Sequence, residues 1–156
     1  KEYILREEKV TKNILDWLEL NGWAIICYDF PQSGTGVLLH LNNNNRTEKN
    51  KGGIIPDIIA VKNKRALFFE NKDRFYEPDF DKLNEIKVES NYSDSLDQLL
   101  NGHNISDIYY GIGLPDSEKD IDKSKQHLEK IDFLISINKK KEVTIHYDVN
   151  GIFANA

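Results

Sequence analysis

Between Ile54 and Lys72 lie two runs, Ile54–Val61 and Ala66–Phe69, that are apolar at nearly every successive position rather than at every second one. Such runs belong to strands covered on both faces. Only Asn63-Lys64, with Lys62 and Arg65 beside it, separates them. Asn tolerates the left-handed backbone of a tight turn, so the pair is expected to close as an antiparallel hairpin inside a sheet. Three charged residues sit at the far ends of these strands: Asp57 after Pro56, and Glu70 and Lys72 after Phe69. Burying charge is costly unless it is paired or metal-bound, so their presence there needs a reason.

A two-residue turn fixes the register. Lys62 then faces Arg65, Val61 faces Ala66, and Asp57 falls opposite Glu70. Directly opposed residues hold their Cβ atoms about 4.5–5.5 Å apart on one face. Lys72, two residues beyond Glu70, points the same way. Two carboxylates so close repel, and one takes up a proton unless a cation lies between them. Magnesium suits that place, because it prefers oxygen ligands and is commonly held by one or two carboxylates with waters. Water on such a metal, beside an ammonium, is a source of hydroxide for attack on an anionic centre. The trio reads as a hydrolytic site for phosphodiesters. Against this, Asp57 could be a turn residue at a strand start and Glu70 and Lys72 solvated strand ends. A register slip of one would also put the acids on opposite faces. The double-sided apolarity of the hairpin favours the site.

At 156 residues, with 39% hydrophobic and 30% charged residues, the chain is expected to form a single domain over 1–156 with a real core. Its apolar runs are too short to cross a bilayer, and its first residues lack the apolar segment of a secretory signal. One cysteine, Cys27, within an apolar run, permits no disulfide framework and points to the cytoplasm. One cysteine and four scattered histidines (His40, His103, His127, His146) offer no zinc-ligand spacing. The net charge of −5 argues mildly against indiscriminate nucleic-acid binding.

Helical spacing of Tyr3, Val10, Ile14, Trp17 and Leu18 predicts a helix over 2–21, with Asn21-Gly22 as its stop. A strand is expected at 23–28, then a long irregular stretch from Asp29 to Gly53 with one further strand possible at 37–41. After the hairpin come helices over 78–87 and 93–102, a strand at 108–114, a helix over 117–131, and a hairpin pairing 133–137 with 143–147. This order implies an α/β fold with a mixed central β-sheet flanked by helices on both faces.

Pro56-Asp57 and, after twelve intervening residues, Glu70-Asn71-Lys72 resemble the motif of the PD-(D/E)XK nuclease superfamily, to which many type II restriction endonucleases belong. The likeness extends over the element order from residue 2 to about 114, leaving the helix and hairpin of 117–147 as an addition. It implies a restriction endonuclease-like core in which Asp57 and Glu70 bind Mg2+ (or Mn2+ in its place), joined by the main-chain carbonyl of Asn71, while Lys72 orients the attacking water. Many relatives add an acid from the first helix. Glu7 fits that role because it shares the Val10/Ile14/Trp17 stripe, which Glu8 does not; the plain alternative is a solvated charge at a helix start. Arg46, Lys49 and Lys51, near Gly52 and Gly53, are candidate contacts to DNA phosphates or simply a solvated loop. Lys82 and Lys87 are read first as a solvated helix face, with lining of the same cleft as the alternative, and Lys139–Lys141 as a hairpin tip. The implied function is a magnesium-dependent endonuclease of double-stranded DNA, foremost a compact type II restriction enzyme acting as a homodimer. A structure-specific or repair nuclease, or a non-catalytic DNA-binding or interaction module, are the alternatives.

Overall fold

In the computed structural model, residues 5–30, 33–42 and 52–153 are described. Helix α1 (Glu7–Leu20) buries Val10, Ile14 and Leu18 on one stripe, and the chain then turns at Gly22 with φ +86°. Strand β1 (Ala24–Tyr28) follows. Strands β2 (Ile58–Lys62) and β3 (Arg65–Asn71) form the expected hairpin, with Lys62 opposite Arg65 and Val61 opposite Ala66. Asn63 and Lys64 both take positive φ, 50° and 67°, the geometry that lets a two-residue turn match strand twist.

Helices α2 (Glu77–Glu89) and α3 (Ser93–Leu99) lead to β4 (Asp107–Pro115), then helix α4 (Glu118–Ser124), β5 (Phe133–Ile137) and β6 (Val143–Asp148). The six strands lie in chain order, parallel at β3–β4 and β4–β5 and antiparallel elsewhere. The fold is therefore α/β, a mixed sheet with helices on both faces. Strand periodicity sorts its residues into two cores. Ile58, Ala60, Leu67 and Phe69 pack with Val10, Ile14 and Leu18 of α1. Ile59, Val61, Ala66 and Phe68 pack with Phe80, Leu83 and Ile86 of α2 and Leu96 of α3.

Three expectations about element bounds are corrected. The strand expected from residue 54 begins at Ile58: Ile54 makes an isolated bridge with Leu39, and Pro56 has no N–H for a ladder. That single bridge is all that appears of a strand at 37–41 among the described residues. The helix expected over 117–131 is α-helical only to Ser124. It continues as a 3-10 turn, Lys125–Lys130, broken at His127 (φ −126°), whose ring stacks on Phe75 at 5.4 Å.

β4 contributes Gly111 and Gly113 where neighbours leave no room for a Cβ. At Gly113 the obstacles are Oδ1 of Asn71 and Cδ1 of Ile14. Gly113→Ala is expected to lower stability by about 1–3 kcal/mol through overpacking, to be read from denaturant midpoints. An unchanged midpoint would mean that Asn71 and Ile14 yield freely.

Candidate active site

β3 pairs in parallel with β4, and the carboxyl ends of parallel strands are where open α/β sheets bind ligands. Glu70 and Lys72 lie at that end of β3, and Asp57 lies beside them, just before β2. The last ladder pair is Ile58–Phe69, so Asp57 stands one residue past regular pairing. Its N–H donates to the carbonyl of Phe69 (3.2 Å), and its Oδ2 accepts the N–H of Asn71 (2.7 Å). Because Asn71 sends its N–H toward Asp57, its carbonyl, which projects to the same edge of the strand, is turned that way too. The Asn71 side chain reaches the other face, where Nδ2 donates to Thr11 Oγ1 of α1 (3.1 Å).

Glu70 is 6% exposed, and Lys82 Nζ of α2 lies 2.8 Å from its Oε1. Lys72 Nζ lies 3.8 Å from Glu7 Oε1 and 3.9 Å from Asp79 Oδ2, with the Tyr76 ring at 4.8 Å. Glu7 therefore reaches this end of the sheet from α1, as its helical stripe suggested, and its ion pair is with the lysine. The reading of Lys82 as a solvated face is overturned, since it is bound to a buried carboxylate. Lys87 belongs elsewhere: its ammonium pairs with Asp132 at 2.6 Å. Arg46, Lys49 and Lys51 lie outside the described residues.

Asp79 of α2 is a further charged group of the site, outside the candidates that the sequence offered. It is 8% exposed and faces Lys72. The signal was available. Asp79, Lys82, Leu83 and Ile86 recur at i, i+3, i+4 and i+7, the same inward stripe argument that selected Glu7.

The electrostatics follow from crowding. Asp57 is pushed up to about 8, first by burial and then by the charge of Glu70, with the Asn71 N–H pulling back. Burial likewise raises Glu70, opposed mainly by Lys82, and raises Asp79 and Glu7, opposed mainly by Lys72. Four carboxylates (Glu7, Asp57, Glu70, Asp79) against two ammonium groups (Lys72, Lys82) leave a formal charge of −2. One divalent cation would cancel it.

Among the described residues, no three His, Cys, Asp or Glu side chains form a ready cage for a metal. Magnesium does not need one, since it keeps several waters and is held by one or two carboxylates. The all-oxygen donor set of Asp57, Glu70 and the Asn71 carbonyl fits that habit. A separate groove of about 720 Å³ runs between α1 and β1, lined in part by Lys9, Lys12, Tyr28 and Phe30; none of Asp57, Glu70 or Lys72 lines it. Charge and burial, rather than cavity size, mark the candidate site.

Comparison with protein-family models and with curated proteins gives no match to this chain. The functional reading rests on its own residues. Among the described residues no helix is long and apolar enough to cross a membrane.

A group raised above its ordinary value stabilises the fold at low pH and loses that contribution as pH climbs through the raised value. For Asp57 the window runs from 3.8 to about 8. Without metal, wild-type melting temperature is expected to fall across this window more steeply than that of Asp57→Asn. Parallel curves would show that Asp57 is not held protonated by its surroundings.

Proposed function

We propose that the chain is a magnesium-dependent deoxyribonuclease that hydrolyses phosphodiester bonds of double-stranded DNA, foremost a compact type II restriction endonuclease of the PD-(D/E)XK kind working as a homodimer. The observation that carries this reading is the meeting of Asp57, Glu70 and Lys72 at the carboxyl end of β3. Together with Glu7, Asp79 and Lys82, these groups carry a formal charge of −2, matched to one divalent ion.

In this reading Asp57, Glu70 and the Asn71 carbonyl would hold Mg2+, and Glu7 would add its negative charge from α1. The bound cation would acidify a water and neutralise charge building on the phosphate. Lys72 donates N–H bonds that orient the attacking water and stabilise it as hydroxide. Its pairing with Glu7 and Asp79, and the Tyr76 ring beneath it, hold the ammonium at the strand end. The water oxygen bonds to phosphorus as one phosphorus–oxygen bond to the sugar breaks, and the departing oxygen takes up a proton. A dimer follows because one site cuts one strand, and a two-fold protein reads a two-fold sequence. The net charge of −5 suits a local DNA contact better than the broad basic surface of a structure-specific nuclease.

The deciding experiment incubates plasmid DNA with the protein and magnesium. Discrete fragments support a restriction enzyme and a smear supports a less specific nuclease. Intact plasmid across many sequence contexts, with DNA still bound, favours a non-catalytic module.

A further inference from the structure

Lys82 enters the site from the second turn of α2, on the stripe that also carries Asp79 and Leu83. Its Nζ lies 2.8 Å from Oε1 of Glu70, and its charge acts on Asp57 as well. That is where a cation must stand to relieve the repulsion between the two acids. We propose that Lys82 is the resident counter-ion of the Asp57–Glu70 pair, filling the metal's place while metal is absent and swinging out as the divalent ion enters. This rests on the metal-binding reading above.

Three features support the exchange. A carboxylate as buried as Glu70 is strongly destabilising without a partner, so something must compensate it in the metal-free protein. Lys82 has a way out, because its side chain is 35% exposed on a flexible four-carbon stem. Lys72 is not the one to leave. Its ion pairs run to Glu7 and Asp79, outside the Asp57–Glu70 pair, and the Tyr76 ring lies against it. The two lysines thus divide the work: one stays to meet the water, the other yields its seat.

The test uses metal-stripped wild type and Lys82→Met, with magnesium titrated by calorimetry, thermal melts with and without magnesium, and acylation of lysines in the wild type read by mass spectrometry. Lys82→Met is expected to bind magnesium at least about tenfold more tightly, the scale on which one adjacent charge moves a carboxylate's affinity for a cation. Metal-free Lys82→Met should melt below wild type, and saturating magnesium should close the gap. In wild type, magnesium should raise acylation of Lys82 severalfold while leaving Lys72 little changed. Unchanged acylation of Lys82 would overturn the proposal even if the variant does not fold. Equal magnesium affinity of the two proteins, or a melting gap that magnesium leaves in place, would overturn it while the metal site stands. No magnesium binding by either protein would remove the metal site and the proposal together.

Discussion

Cleavage of double-stranded DNA is expected to fall by at least about a hundredfold in Asp57→Asn, Glu70→Gln and Lys72→Met, the usual scale for loss of a positioned proton-transfer or charge-stabilising group. Each change keeps size and removes charge. The three should differ in what else they do. Asp57→Asn relieves repulsion with Glu70, so without metal its stability should hold or rise. Glu70→Gln takes the partner from Lys82, and Lys72→Met takes the partner from Glu7 and Asp79. Single-turnover rates at saturating magnesium, with melting temperatures measured in parallel, separate lost chemistry from lost structure. A folded variant that cleaves near the wild-type rate would strip that residue of its role.

The largest stability loss from one substitution is expected in the core on the α1 side. Phe133 is fully buried and meets Phe69 edge-on at 4.8 Å and Phe153 at 5.4 Å, joining β5 to β3 and to the end of the described chain. In β4 its register partner is Gly111, and the missing side chain is what makes room for the ring. Phe133→Ala should cost about 3–5 kcal/mol, because the cavity cannot close against strands fixed on both sides. Phe133→Leu should cost clearly less. Denaturant unfolding with an unchanged slope would measure it, and a loss for Phe133→Ala below about 1.5 kcal/mol, the usual ceiling for a tolerated core swap, would show that the core repacks.

Much of the site's frame was legible because it is local. A two-residue turn and a period of two are enough to place Asp57 beside Glu70 and Lys72, and the ladder from Lys62–Arg65 to Ile58–Phe69 follows that register. A helical stripe was enough to aim Glu7 at the same end of the sheet. What stayed hidden depends on contacts between distant segments. The stripe of Asp79, Leu83 and Ile86 turns Lys82 inward, but that it meets Glu70 in particular is decided by how α2 lies across β3. The requirement for glycine at 111 is set by a phenylalanine on the next strand, beyond α4 and across a parallel pairing. Pro56 did carry a readable warning that the strand starts later than its apolar run, since it lacks a donor for the ladder.

Lys72 touches an acid of α1 and an acid of α2, two helices that cover opposite faces of the sheet. Asn71 beside it ties the sheet to one of those layers, its main-chain N–H donating to Asp57 and its side chain to Thr11 of α1. These two residues act like a rivet driven through a laminate. Peeling off either helical layer would release half of the grip on Lys72, so the cluster's lifetime is bounded by the weaker layer. In hydrogen exchange, the amide of Asn71 should therefore open together with the slow strand amides around it, at the rate at which a whole layer detaches, rather than with the fast motions usual for a strand end.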